Sequence, residues 1–183
     1  LSALKIVLQN CGVISAGVTN FHGEYFGAWF PETCDAVLLD APCSMQNLRA
    51  SENHPLRPIS PREQNTLASR QIRLLESGLR ALKTGGQLVY STCTLSPSED
   101  ELVIDAILSA YPDAVEVVDC SQRFNAPGLD QIGGRQINPQ LRHSLRLWPH
   151  RYHTAGFFSA LLVKTRPILS ETKIPPSRDI HKA

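Results

Sequence analysis

The chain has 183 residues, of which 42% are hydrophobic and 19% are charged, and its formal net charge is +1. This length suits one domain with a substantial core, and the near-zero charge gives no global case for nucleic-acid binding. No apolar run reaches the roughly 18 residues of a membrane span, and no secretory signal opens the chain. The five cysteines are odd in number and include no Cys-x-x-Cys pair, which predicts reduced thiols in a cytoplasmic protein without a zinc site.

The chain opens in a helical pattern. Leu1, Leu4 and Leu8 recur at spacings of three and four residues, and Gly12 supplies a stop signal. The single methionine is Met45, so Leu1 is not an initiator residue. We therefore expect a chain whose beginning is missing.

Two segments before residue 41 read as strands. Residues 16–21 predict a short strand, and residues 35–40 form a nearly continuous apolar run. Such a run is typical of a strand that is buried on both faces. Asp40 and Pro42 end it.

A well-marked helix follows a polar loop. Ser60 is a predicted cap, Pro61 occupies the first helical position and Glu63 completes a capping box. Gly85 and Gly86 predict its end. Residues beyond them form the next strand, over 87–91.

The second half of the chain repeats this alternation. Ser96 predicts the cap of another helix, and residues 114–119 and 156–163 predict further strands. Alternating strands and helices favour an α/β layered sheet. We assign residues 1–166 to one domain and predict a disordered tail over 167–183.

Two cysteines follow the ends of two neighbouring predicted strands. Cys43 lies just after Asp40, and Cys93 lies just after residues 87–91. Ligands of open α/β sheets bind at the carboxyl ends of the strands, and parallel neighbours bring those ends to one edge. We therefore predict that these two thiols lie close together in a catalytic site. The remaining cysteines are interpreted as inert.

Three motifs carry a resemblance to a known family. DAPCS at 40–44, VYSTCTLSPSEDE at 89–101, and RLWPH at 146–150 with GFF at 156–158 resemble the RsmB/NOP (Nop/Sun) family of RNA cytosine-5 methyltransferases. The likeness runs from the opening helix to about Arg166. It implies the C-terminal part of a catalytic domain with a Rossmann-like, S-adenosylmethionine-dependent methyltransferase sheet. The chain would supply strands 3 to 7 of that sheet, with strands 4, 5, 7 and 6 as one contiguous block and strand 3 separated from it.

The resemblance also implies roles for individual residues. Cys93 would attack C6 of cytosine and Cys43 would help to release the adduct. Asp40 would hold the polar edge of the base near S-adenosyl-L-methionine. His22 stands where the family usually has an aspartate that contacts the cofactor's adenine, and Met45 stands where the family usually has glycine.

Arginines and aromatic residues predict contacts with RNA, either rRNA or tRNA. Arg49 follows the first cysteine motif, and Arg146 and Trp148 precede the last strand. Arginine beside aromatic residues suits phosphate contact and base stacking. A target base must be unstacked to reach a thiol. We expect a monomer that binds RNA and neither a membrane nor a metal.

Three other interpretations stay open at this stage. The chain could be a truncated or diverged methyltransferase-like module that binds RNA or acts as a scaffold without activity. It could be a Cys/His hydrolase with His54, His150 or His153 as the base. A metal site built on His150 and His153 is the third possibility.

Overall fold

The computed structural model describes residues 2–46 and 59–168. Its α-helices are α1 Ser2–Asn10, α2 Phe26–Trp29, α3 Pro61–Ala81, α4 Glu101–Ala110 and α5 Pro149–Tyr152. Its strands are β1 Cys34–Asp40, β2 Leu82–Thr92, β3 Val115–Val118, β4 Gln131–Ile132, β5 Arg135–Gln136, β6 Leu145–Leu147 and β7 Phe157–Lys164. Short 3₁₀ helices cover Gly23–Tyr25, Ser121–Arg123 and Pro139–His143.

The main sheet has the order β1-β2-β7-β3, with β6 paired to the end of β7. Strands β1 and β2 are parallel, whereas β7 runs antiparallel to both β2 and β3. This confirms the α/β prediction and the contiguous block expected for strands 4, 5, 7 and 6. The predicted strand over 16–21 is wrong, because those residues form no strand in the described structure and no described strand pairs with them.

The hydrophobic core lies where α3 and α4 pack against the sheet. Leu75 and Leu79 of α3 and Ile104 of α4 are almost fully buried, as are Leu88 and Tyr90 of β2. These residues belong to one contiguous cluster. Burial of this apolar face is the main force that holds the helices on the sheet.

Helix α3 begins as predicted but ends earlier. The Ser60 hydroxyl accepts a hydrogen bond from the Glu63 amide at 3.2 Å, which satisfies one of the free N–H groups of the first turn. The helix ends at Ala81 rather than at Gly85, because the chain passes directly into β2. Gly85, with φ +84°, lies in an irregular stretch of β2, where the pairing with β1 shifts register.

Two further expectations are corrected. Strand β1 is not buried on both faces: β2 is its one partner among the described strands, and Leu38 is 75% exposed. Helix α4 starts at Glu101 instead of just after Ser96, because residues 97–100 form turns.

The ordered core reaches slightly beyond the predicted domain boundary. Ile168 is 7% exposed and belongs to the core cluster. The predicted tail from residue 169 onward lies outside the described residues. No helix in residues 2–46 and 59–168 is long and apolar enough to cross a membrane.

Candidate active site

The parallel pairing of β1 and β2 brings the two cysteine segments together. Asp40 is in register with Ser91, and the Ala41 amide donates to the Ser91 carbonyl at 3.0 Å. Immediately beyond this pair, the Sγ atoms of Cys43 and Cys93 lie 3.2 Å apart. The predicted proximity of the two thiols is confirmed, and both are free thiols.

Burial affects the protonation of Cys43. Burial first, and then the hydrogen bond with Cys93, raise the pKa of Cys43 well above its usual value. Cys43 therefore keeps its proton at neutral pH and can donate it to the sulfur of Cys93. The short contact therefore places a protonated Cys43 beside the sulfur of Cys93.

Polar groups tie the two cysteine segments to one another. The Ser44 hydroxyl donates to Thr94 Oγ1 at 3.1 Å, and the Ser96 amide donates to the same oxygen at 3.2 Å. Thr94 is fully buried. The residue after each cysteine is thus linked to the other segment, which restricts independent motion of the thiols.

Two more buried side chains hold the backbone around Cys43. Gln71 of α3 donates from Nε2 to the Pro42 carbonyl at 2.8 Å. Glu99 accepts from the Ser44 amide at 2.9 Å and from Gln71 Nε2 at 3.2 Å. Sequence reasoning missed Gln71 and Glu99, although both are polar residues at positions that the helical pattern turns toward the core.

Arg146 does not have the predicted role of an RNA contact. Its side chain is 1% exposed and pairs with Glu101 at 2.7 Å and with Asp100 at 3.3 Å. It also donates to the carbonyl of Leu95, two residues after Cys93. A buried guanidinium in this position braces the segment that follows Cys93 and is not available to a phosphate.

Asp100 is a second buried acid beside Arg146. Burial raises the pKa of Asp100 to about 8, against the opposing effects of the Thr92 hydroxyl and of Arg146. Thr92 Oγ1 donates to Asp100 Oδ1 at 2.6 Å. One guanidinium thus faces two carboxylates, and Asp100 is the one that takes up a proton.

The predicted cofactor residues occupy different surroundings. Asp40 is exposed at the end of β1, beside the cysteine segments, and its carboxylate has no hydrogen-bond partner among the described residues. His22 is exposed before the 3₁₀ helix Gly23–Tyr25, with its ring 6.3 Å from that of Tyr25. Asp40 lies at the edge of the sheet where the thiols are, whereas His22 lies in an irregular segment.

Met45 adopts a backbone conformation that favours glycine. Its φ is +53° and its side chain is 56% exposed. A side chain in the left-handed region costs free energy that glycine avoids. The conformation gives a physical reason for glycine at this position.

Trp148 and nearby basic residues line an open cavity of about 420 Å³. Trp148 also packs over Arg146, whose Cζ lies 4.6 Å from the ring centroid. His150 and Arg151 contribute to the same wall, and Arg142 pairs there with Asp130 at 3.1 Å. Arg49 lies outside the described residues.

The other two chemistries find little support in this geometry. No group of three or more His, Cys, Asp or Glu side chains that could hold a metal occurs in residues 2–46 and 59–168. His150 lies in α5, His153 follows it, and both are exposed. The side-chain hydrogen bond of the site's cysteines joins one thiol to the other and does not involve a histidine. His54 lies outside the described residues.

The sheet and the thiol pair define a Rossmann-like methyltransferase domain. A methyltransferase homolog protein from Pyrococcus horikoshii has this fold, with a TM-score of 0.76 and 31% identity over 89% of this chain and 49% of that one. NSun6 from Pyrococcus horikoshii with SFG has a TM-score of 0.71 over 90% of this chain and 38% of that one. At 24% identity, the second likeness bears on the fold alone.

The chain belongs to the 16S rRNA methyltransferase RsmB/F family, whose model matches residues 1–163. It is 40% identical to the ribosomal RNA small subunit methyltransferase F of Aeromonas salmonicida over 164 residues, which are 90% of this chain and 33% of that protein. It is 38% identical to the protein of the same description from Klebsiella pneumoniae, over 92% of this chain and 34% of the relative. The chain therefore spans about a third of the length of these relatives.

Proposed function

We propose that this chain carries the catalytic thiols of an S-adenosylmethionine-dependent RNA methyltransferase that acts on cytosine C5. The observation that carries the proposal is the 3.2 Å contact between Cys43 and Cys93 at the carboxyl edge of two parallel strands. Membership of a 16S rRNA methyltransferase family supports small-subunit rRNA as the substrate, and hence a cytoplasmic protein.

Cytosine C5 is a poor nucleophile, and covalent catalysis would overcome this. The thiolate of Cys93 adds to C6, so a C–S bond forms and the electron pair of the C5–C6 double bond becomes available at C5. After C5 has gained a methyl group, a base from the solvent takes the C5 proton, the C–H electron pair re-forms the double bond, and the C–S bond breaks. The electron pair of that bond returns to the sulfur of Cys93.

Cys43 would stabilise the Cys93 thiolate as it leaves the adduct. Its proton is retained because burial raises its pKa, and its sulfur lies within hydrogen-bonding distance of Cys93. A donated hydrogen bond lowers the energy of a thiolate more than that of a thioether. Cys43 therefore assists the expulsion of Cys93 from the adduct.

The described residues fit one side of a cofactor site. Asp40 offers a carboxylate without a partner in the described structure at the edge where the thiols lie, and would hold the cytosine and face the cofactor. His22 would contact the adenine. When bound, S-adenosylmethionine supplies the methyl group for C5. The glycine pairs in residues 2–46 and 59–168 do not follow strands of the main sheet: Gly85 and Gly86 lie within β2, and Gly133 and Gly134 form the turn of the separate β4–β5 pair.

RNA would approach across the cavity beside Trp148. The ring offers a stacking surface, and Arg151 and His150 add positive or hydrogen-bonding groups at the rim. Arg146 lies beneath the ring and joins this cavity to the segment after Cys93. Arg49 remains a proposed phosphate contact on the opposite cysteine segment.

Trapping of the covalent adduct tests the proposed chemistry. In the full-length protein that carries this chain, Cys43→Ala should accumulate an RNA adduct through Cys93, since expulsion of the sulfur slows while attack continues. The measurement is a shifted protein band on a denaturing gel after incubation with small-subunit rRNA and S-adenosylmethionine.

Matched cysteine variants give the controls. Cys93→Ala should give no adduct. Cys120 follows β3, which β7 separates from β2 in the sheet, and Cys120→Ala should behave as the unmodified protein. Absence of an adduct from Cys43→Ala, together with unchanged RNA binding, would contradict the proposal and favour a scaffold role.

A further inference from the structure

Two buried side chains hold the backbone on both sides of Cys43. The carbonyl of Pro42, just before the cysteine, accepts from Gln71 Nε2, and the amide of Ser44, just after it, donates to Glu99 Oε2. Gln71 and Glu99 are themselves hydrogen-bonded at 3.2 Å, and both are fully buried. Backbone groups held at both flanks leave Cys43 little freedom to move away from Cys93.

Glu99 connects this arrangement to the segment of the other thiol. It lies six residues after Cys93, and its carbonyl accepts from the buried hydroxyl of Tyr90 at 2.6 Å. The main chain of Glu99 is therefore attached to β2, while its side chain grips the segment that follows β1. The residue spans the two strands whose ends carry the thiols.

The arrangement leaves two buried oxygens unsatisfied. Glu99 Oε1 and Gln71 Oε1 have no hydrogen-bond partner among the described residues. Buried polar atoms without partners cost free energy, and apolar side chains of similar shape would avoid that cost. The cost suggests that the pair serves the position of Cys43 rather than the packing of the core.

We propose that Glu99 and Gln71 are positioning residues that set the distance between Cys43 and Cys93. This inference rests on the proposed function for its catalytic meaning, which is release of the Cys93 adduct. Loss of either side chain frees the Pro42–Ser44 backbone, so that Cys43 gains solvent and loses its contact with Cys93. Attack by Cys93 continues in that case, and release becomes slow.

Thiol reactivity tests the positioning without reference to methyl transfer. Alkylation of Cys43 by iodoacetamide is measured by mass spectrometry from about pH 6 to 10, relative to the exposed Cys11. In Glu99→Ala and in Gln71→Leu, the pH profile of Cys43 should move to lower pH, with a rise of about tenfold in the rate for each pKa unit regained.

Two control variants separate positioning from general loss of structure. Glu99→Gln can still accept from the Ser44 amide and should restore most of the original profile. Glu76→Ala removes a half-buried α3 carboxylate that binds the Tyr111 hydroxyl, and it should leave the profile unchanged. An unshifted Cys43 profile in folded Glu99→Ala and Gln71→Leu proteins would overturn the proposal.

Amide hydrogen exchange in the unmodified protein tests the proposal even if the variants do not fold. The Ser44 amide should exchange with deuterium slowly, because Glu99 holds it, whereas exchange as fast as in an exposed turn would also overturn the proposal. In the full-length protein, Glu99→Ala should accumulate the RNA adduct with Cys43 still present, with kcat reduced and kcat/KM for RNA retained.

The alkylation profile of Cys43 and the RNA adduct distinguish an error in the positioning from an error in the proposed chemistry. If the Cys43 profile shifts but no variant forms an adduct, including Cys43→Ala, the methyltransferase chemistry is wrong and the positioning stands. If Cys43→Ala traps an adduct but the thiol profile never shifts, the positioning is wrong and the chemistry stands.

Discussion

At the scale of single residues, the site depends on the burial of Cys43 and on its contact with Cys93. Burial and then the contact with Cys93 raise the pKa of Cys43, so this thiol keeps its proton at neutral pH. The motifs alone identified both thiols, since each follows a strand end. They did not identify Gln71 or Glu99. The helical spacing turns both toward the core, but no local signal shows which distant backbone groups their side chains contact.

Met45 has a side chain at a backbone conformation that favours glycine. Met45→Gly should stabilise the protein by about 1 kcal/mol, because glycine adopts a positive φ without steric cost. Urea denaturation followed by circular dichroism measures the change. Met45→Ala is the matched control and should give no comparable gain, since alanine keeps the strained Cβ. A gain of equal size in both variants would contradict this explanation.

At the scale of elements, the site is built by one parallel strand pair and the helix that connects it. Helix α3 follows β1 and precedes β2, packs on the sheet through Leu75 and Leu79, and supplies Gln71 to the site. Its start was predictable from the Ser60 cap, which is a local signal. Its end was not predictable, because Gly85 lies within β2, where the pairing with β1 is irregular, and does not end the helix.

Close packing of α2 on α3 depends on Gly27. A Cβ at this position would lie 2.0 Å from the Ser77 carbonyl oxygen, and the Gly27 amide donates to Ser77 Oγ at 2.9 Å. Gly27→Ala should therefore destabilise the protein by roughly 1–3 kcal/mol, because the two helices must separate. Thermal denaturation measures the loss. Gly17→Ala, with open space around the added methyl, should be close to neutral, and an equal loss in both variants would contradict the packing argument.

At the scale of the whole molecule, buried charged residues behind the site make the free energy of unfolding depend on pH. Arg146 links β6 to Glu101 of α4 and to the segment after Cys93. The sequence predicted an exposed RNA-binding arginine here, since its neighbours in the chain are basic and aromatic. Burial by distant elements reversed that prediction, whereas Trp148 remains at the surface above it.

The raised pKa of Asp100 predicts how the free energy of unfolding depends on pH. Its pKa is about 8 in the folded protein and near 4 when unfolded, so the folded state holds one more proton between these values. This stabilising contribution is complete below about pH 4 and is lost as the pH rises toward 8, by at most about 1.4 kcal/mol per pH unit. Urea denaturation across this range measures the slope.

A neutral substitute should remove that dependence. Asp100→Asn should unfold with a flatter pH dependence than the unmodified protein, while Asp113→Asn, which changes an exposed carboxylate, should retain the original slope. Identical slopes in all three proteins would show that Asp100 does not hold a proton in the folded state.

The order of the sheet block was implied by the family resemblance, whereas the sequence by itself determined the strand and helix alternation and the two thiols. These depend on local signals: apolar runs, a capping box and residues placed just after strand ends. Only the tertiary structure decided that Arg146 is buried, that β1 is largely exposed and that Glu99 and Gln71 hold Cys43. Those features come from contacts between residues far apart in the chain, such as the 55 positions that separate Ser44 from Glu99, and no local pattern encodes them.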